Sequence, residues 1–209
     1  MSAARALLAR SQPLWRQLTS HPFVTGVADG SLDPAAFDRW LVQDHAFVVG
    51  FRRFLAGLLT LAPDARGGDV LAAGMGPLQA ELDLFRREAG NRRLDLAAEP
   101  SPTTLGYTSY LQASLAEGYP VGLTVLYGAE KAYYDAWAAV RSAARNSSPY
   151  WSFVDNWSSD SFAGWVAAVA RLLDAAAPTG PTPAMCTAFD RVVRFELKFW
   201  DAVHAGEGW

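Results

Sequence analysis

DPAAFDRWLVQDHAFVVGFRRFL, residues 33–55, is a helix by the spacing of its apolar side chains. Phe37, Trp40, Leu41, Val48, Phe51, Phe54, Leu55 and then Leu58 recur at steps of three and four, which on a helix of about 3.6 residues per turn makes one buried stripe. Asp33 followed by Pro34 marks its start, because the carboxylate accepts from orphan backbone N–H groups and proline fits the first helical position. Asp44 interrupts the stripe. A carboxylate set among large apolar groups must be hydrogen-bonded, paired or shifted in its protonation, since leaving it buried and alone is costly. Its companions have to come from elsewhere in the chain.

The rest of the sequence repeats the helical signal. With 209 residues, 51% hydrophobic and 12% aromatic, the chain is expected to form one domain, residues 1–209, around a substantial core. Strand-like alternation hardly occurs, so the class is all-α. Helices are predicted near 33–61, 67–89, 102–117, 119–145, 149–156, 159–176 and 183–204. Before them, an amphipathic first segment runs from Ser2 to Ser20, with Pro13 kinking it or restarting it after Ser11, and residues 21–32 read as a connector. The Asp33-Pro34 punctuation returns at Ser101-Pro102, Ser148-Pro149 and Thr182-Pro183, and Gly90-Asn91 and Gly180 fall where stops are expected. A bundle of mostly antiparallel helices is the economical architecture.

Charge and composition exclude several functions. A net charge of -3 and no basic run longer than an Arg-Arg pair argue against a nucleic-acid partner. No apolar run approaches the roughly 20 residues that span a bilayer, so no membrane partner is expected. The single cysteine, Cys186, can form no internal disulfide and fits a reducing cytoplasm. The alanine- and arginine-containing N-terminus lacks the apolar core of a secretory signal. Cytoplasmic placement is the expectation.

Two further helices carry an acid in the apolar stripe. Glu196 falls among Phe189, Val192, Val193, Phe199, Trp200 and Val203, and Glu130 fills the open position between Leu126 and Tyr133. Each acid taken singly is as easily a partly buried group paired with a nearby Arg, Lys or Tyr. Three on separate helices, among many aromatics, point to a shared polar pocket. A di-iron site would need Glu-x-x-His pairs, and none of His21, His45 and His204 stands three residues after a Glu; no metal and no cofactor are expected. His45, about 100° around its helix from Asp44, reads as structural or exposed. Glu81 flanks the stripe of Leu71, Met75, Leu78, Leu82 and Phe85; it could be a further pocket acid, but a solvated position is the expectation. Phe47, Phe51, Tyr107, Tyr133, Tyr134, Trp157 and Phe199 could line a slot for a flat ring or simply fill the core. Cys186 reads as a bystander, with no base close in sequence.

Several segments, spread in order over nearly the whole chain, resemble the TenA family, the thiaminase II or aminopyrimidine aminohydrolase proteins. They are His21-Pro22-Phe23-Val24, Gln43-Asp44, Pro100-Ser101-Pro102-Thr103 leading to Tyr107-Thr108-Ser109, Asn156-Trp157-Ser158-Ser159-Asp160-Ser161-Phe162, Glu196 with Phe199-Trp200, and Glu207-Gly208-Trp209. The resemblance implies a heme-oxygenase-like helical bundle, usually a homotetramer. It places Asp44 at the edge of an aminopyrimidine ring, Tyr107, Tyr133 and Phe199 in the pocket, and Glu196 near the leaving group. Trp157 and Phe47 stand where better-known members carry tyrosines. The family's nucleophilic cysteine is missing: its place falls at Ala129, beside Glu130. A branch that lacks the cysteine is thought to use glutamates, and this chain resembles that branch.

The expected function is therefore hydrolysis of 4-amino-5-aminomethyl-2-methylpyrimidine, or its N-formyl derivative, in thiamin pyrimidine salvage. Glu196 and Glu130 are the catalytic candidates, while cleavage of thiamine itself is disfavoured. The alternatives are a protein that binds a small aromatic without turning it over, or a metal- or cofactor-dependent oxidase on the same fold.

Overall fold

The computed structural model describes residues 1–143 and 149–209, and every regular element among them is helical. In order these are α1 (Ala3–Arg10), α2 (Gln12–Thr19), α3 (Pro22–Asp29), α4 (Pro34–Thr60), α5 (Ala65–Ala73), α6 (Met75–Arg92), α7 (Pro102–Ser114) with a 3-10 turn at Leu115–Glu117, α8 (Tyr119–Ala143), α9 (Trp151–Trp157), α10 (Asp160–Ala176) and α11 (Pro183–Ala205). No helix among the described residues is long and apolar enough to cross a membrane.

The punctuation read from the sequence acts as capping chemistry. Asp33 accepts from Ala35 N–H at 3.0 Å, Ser101 from Thr104 N–H at 3.3 Å and Thr182 from Met185 N–H at 3.3 Å, each satisfying an orphan donor of the helix that follows. The fourth signal rests partly on Ser148, which lies outside the described residues, as does the predicted end of the 119–145 helix; α9 itself begins at Trp151.

Three boundaries differ from expectation. Residues 21–32 are not a connector: His21 accepts from Phe23 N–H at 3.1 Å through Nδ1, Pro22 opens α3, and Gly30 ends it at φ 82°. The helix predicted over 67–89 is two helices, divided at Gly74, whose N–H turns back to Leu71 O and whose bare Cα faces the Trp165 ring. Gly90-Asn91 is not a stop. α6 runs on to Arg92, which is tied to Asp38 at 2.7 Å and lies over the Phe37 ring, and Arg93 ends the helix in the left-handed conformation.

His21 has a measurable share in this arrangement. Its Nδ1 must stay unprotonated to cap α3, while Nε2 lies 3.2 Å from Asp201; burial holds its pKa below the usual 6.5, against the upward pull of Asp201. Stability from this group is present above pH 6.5 and lost as pH falls through its lowered folded value. His21→Ala is expected to cost about 1 kcal/mol, or roughly 2–4 °C in Tm for a chain of this size, and His21→Asn, which also accepts at an N-cap, to recover most of it in a thermal melt.

α8 is the central element, packed by α2, α3, α9, α10 and α11, while α4 packs on α5, α6, α7 and α11. α11 touches both. α8 approaches α11 closely at Gly128, where an added Cβ would lie 2.9 Å from Val192 Cγ1. This close contact carries Glu130 and Tyr133 of α8 toward Glu196 and Phe199 of α11. Many of the aromatic rings form one connected cluster, in which Trp40 lies 5.3 Å from Trp137, 5.7 Å from Trp157 and 4.9 Å from Phe37 between ring centroids.

Candidate active site

Asp44 of α4 is fully buried, and its Oδ1 accepts a short hydrogen bond from the Tyr133 hydroxyl of α8. Trp40 Nε1 donates to the same hydroxyl at 3.5 Å. Glu196 of α11 is also fully buried, and its Oε1 accepts from the Tyr107 hydroxyl of α7 at 2.6 Å. The two acids are built alike: one oxygen is held by a tyrosine, and the other, Asp44 Oδ2 or Glu196 Oε2, is buried with no hydrogen-bond partner among the described residues. Leaving such an oxygen unpaired costs about 1–3 kcal/mol or more. That cost is tolerable where a ligand supplies the missing donor.

Aromatic rings surround this pair. Phe47 lies 4.8 Å from Tyr107 and 6.1 Å from Phe199, and Tyr133 lies 5.8 Å from Trp157 and 5.5 Å from Trp200. Trp200 also lies 5.9 Å from Phe199, and through it Asp44, Phe47, Tyr107, Tyr133, Trp157, Glu196 and Phe199, spread over five helices, form one continuous set of contacts. Tyr134 stands apart, against Phe162 and Lys131. Phe51 joins the same aromatic wall behind Phe47, at 5.7 Å.

Glu130 occupies a different position, on a cavity of about 560 Å³ lined also by Leu78, Glu81, Asn156, Phe162 and Trp165. Its Oε1 accepts from Trp165 Nε1 at 2.7 Å. Asp44 and Glu196 are not among the residues lining this open space, yet they belong to the same electrostatic site: charge on Glu130 opposes charge on Glu196, and charge on Glu81 opposes charge on Asp44.

Glu81 corrects the expectation of a solvated acid. It is buried, and Asn156 Nδ2 donates to its Oε1 at 3.3 Å. The spacing already placed it on the inner face, three residues after Leu78 and four before Phe85. Its charge hid this, because an acid on an apolar face looks solvated until a partner from another helix is known. Asn156 and Trp165 were missed as acid partners for the same reason.

All four carboxyls are shifted toward the neutral form, chiefly by burial. Glu81 is raised to about 7, with Asn156 pulling the other way. Glu130 is raised to about 8, with repulsion from Glu81 added and the Trp165 hydrogen bond opposing. Glu196 is raised to about 8, with Tyr107 opposing and Asp44 and Glu130 adding repulsion. Asp44 is raised well above its ordinary range despite the Tyr133 hydrogen bond. Such a set exchanges protons near neutral pH, which is what general acid and base catalysis requires.

Ala129 is buried on α8 beside Glu130. Cys186 is half-buried in the first turn of α11, and His45 is half-buried against Phe85, at 6.1 Å. Neither is a partner of the four acids in any hydrogen bond described above. Among the described residues no group of three or more His, Cys, Asp or Glu is arranged to hold a metal ion.

A bundle of this kind, closing buried acids and aromatic rings between its long helices, is a heme-oxygenase-like fold. The chain belongs to the TENA/THI-4/PQQC family, whose sequence profile matches residues 8–205. It is 28% identical to an aminopyrimidine aminohydrolase from Halalkalibacterium halodurans, over 100% of this chain and 98% of the relative. An aminopyrimidine aminohydrolase from Bacillus subtilis is 24% identical over 93% of this chain and 86% of that one. The solved structure of a TenA homologue from Pyrococcus furiosus superposes with a TM-score of 0.90 at 31% identity, covering 95% of this chain and 98% of that chain.

Proposed function

We propose that the protein is a hydrolase that converts 4-amino-5-aminomethyl-2-methylpyrimidine, or its N-formyl derivative, to the hydroxymethyl pyrimidine in thiamin pyrimidine salvage, using carboxyl groups where a cysteine nucleophile is absent. The observation that carries this reading is the pair of buried, unpartnered oxygens, Asp44 Oδ2 and Glu196 Oε2, inside a ring of aromatic side chains. An aminopyrimidine offers an edge of donors and acceptors to the first and a leaving nitrogen to the second. The aminohydrolase relatives at full length support the same reaction class.

In the reaction the bond from the methylene carbon to the amine breaks and a bond from that carbon to a water oxygen forms. Asp44 holds the ring nitrogen and exocyclic amine. Glu196, neutral near pH 7 because burial raises it to about 8, gives its proton to the departing nitrogen, which leaves as ammonia. Charge on Glu81 adds to the upward shift of Glu130; with one of the two acids ionised, they orient the water and take its proton. The rings of Phe47, Tyr107, Trp157 and Phe199 fix the pyrimidine and exclude bulk water, which strengthens each of these interactions.

The test measures ammonia and formate released from the free and the N-formyl aminopyrimidine. Ammonia from the free amine, with no thiazole released from thiamine, is the expected outcome. Tight binding of the aminopyrimidine with no ammonia after long incubation would identify a binding protein instead.

A further inference from the structure

We infer that Trp165 is a positioning residue for Glu130: the indole fixes the carboxyl so that its proton is carried and exchanged chiefly at Oε2. The effect on rate rests on the hydrolase reading; the effect on the carboxyl does not. Trp165 lies on α10, Glu130 on α8, and both line the same cavity. Trp165 Nε1 sits 2.7 Å from Glu130 Oε1. An indole N–H only donates, so Oε1 accepts whether Glu130 is charged or neutral, and because a carbonyl oxygen is the better acceptor the proton of the neutral acid is favoured at Oε2. The tyrosines on Asp44 and Glu196 impose no such choice, because a hydroxyl both donates and accepts.

A third element sets the indole. At Gly74, between α5 and α6, an added Cβ would lie 2.6 Å from Trp165 Cη2 and 2.9 Å from Cζ2. The backbone there has φ -72° and ψ -17°, open to any residue, so the glycine supplies room for the ring and nothing else. Gly74, Trp165 and Glu130 are therefore support, donor and acid of one unit. The titratable groups facing it are Glu81 from α6, Tyr107 from α7 and Glu196 from α11, all of which interact electrostatically with Glu130, and Asp155 from α9 on the cavity wall.

The test follows the Glu130 carboxyl by carbon NMR on glutamate-labelled protein, with the signal assigned by its loss in Glu130→Gln. Trp165→Phe keeps an aromatic ring and removes the donor; Gly74→Ala keeps the indole and pushes it away. Both are expected to raise the pH at which Glu130 titrates by roughly one unit, the worth of a hydrogen bond to a charged group. Gly74→Ala should also lower Tm somewhat, since displacing the ring costs more than the helix propensity of alanine returns, so the titration and not the melt carries this comparison. In turnover, both should lower kcat by about 10- to 100-fold with little change in KM, and Trp165→Phe should add no further loss in a Glu130→Gln background. A Glu130 titration unmoved in both variants, or a Trp165→Phe loss that is the same with and without Glu130, overturns the assignment. Should wild-type protein release no ammonia, the hydrolase reading fails while the titration still decides the role of Trp165.

Discussion

Glu196→Gln is expected to lower kcat for ammonia release by about 10²- to 10⁴-fold, the usual worth of a positioned general acid, with a much smaller change in KM. Glutamine keeps the shape and an oxygen that accepts from the Tyr107 hydroxyl, which lies 2.6 Å from Glu196 Oε1 in the native protein, so the surrounding rings stay where they are. The amide has no proton to give to the leaving nitrogen. The pH profile supplies a second sign: Glu196 is raised to about 8, so kcat in the wild type should fall above that pH as the acid ionises, and this limb should vanish in the variant. Asp44→Asn should behave differently. It disturbs a ring contact present in both ground and transition states, and the loss should fall mainly on KM. Initial rates of ammonia release across pH 6–10 measure all of this, and a Glu196→Gln protein with the full wild-type rate removes Glu196 as the acid.

The difference between these two acids shows how much of the site the sequence carried. Asp44, Glu130 and Glu196 were legible as carboxylates at apolar positions of a helical repeat, because that period is local. Their partners were legible only through the family resemblance or not at all. Tyr133 reaches Asp44 and Tyr107 reaches Glu196, each across 89 positions of sequence; helix periodicity is silent about which faces meet. Trp165 read as one more apolar residue of its helix, since a stripe does not reveal that an indole N–H is spent on an acid from another helix. The fold was legible to a similar degree. Capping residues placed the starts of α4, α7 and α11, while α3 was missed because Pro22, Gly26 and Gly30 are loop-like residues whose helical use depends on the His21 cap. The division at Gly74 was hidden because the ring that its bare Cα faces, Trp165, comes from a helix far along the chain.

The same buried acids that make the reaction possible should make the protein less stable as it becomes alkaline. In the unfolded chain these groups ionise near their ordinary values, about 4 to 4.5. In the folded protein Glu81 holds its proton to about 7, Glu130 and Glu196 to about 8, and Asp44 is raised well above its usual range. The folded state therefore binds more protons than the unfolded state between these limits, and stability falls with rising pH across that window. The favourable contribution is complete below about pH 4 and lost as pH passes through the folded values near 7 and 8. His21 acts in the opposite direction below pH 6.5, but one group offsets only part of the slope set by four, so Tm should fall steadily from pH 5 to pH 9. Removing one buried ionisation by Glu196→Gln or Glu130→Gln should flatten the alkaline slope and raise Tm at pH 9 by about 4–8 °C, the equivalent of roughly 2 kcal/mol in a chain of this size. One substitution then moves rate and stability in opposite directions, which ordinary damage to a core does not do, since a disturbed core lowers both. Melts of the wild type and the two variants at pH 5, 7 and 9 separate the cases: a Glu196→Gln protein that melts below the wild type at pH 9 would mean that Glu196 is held charged by its surroundings, and the acid would have to be sought between Glu81 and Glu130.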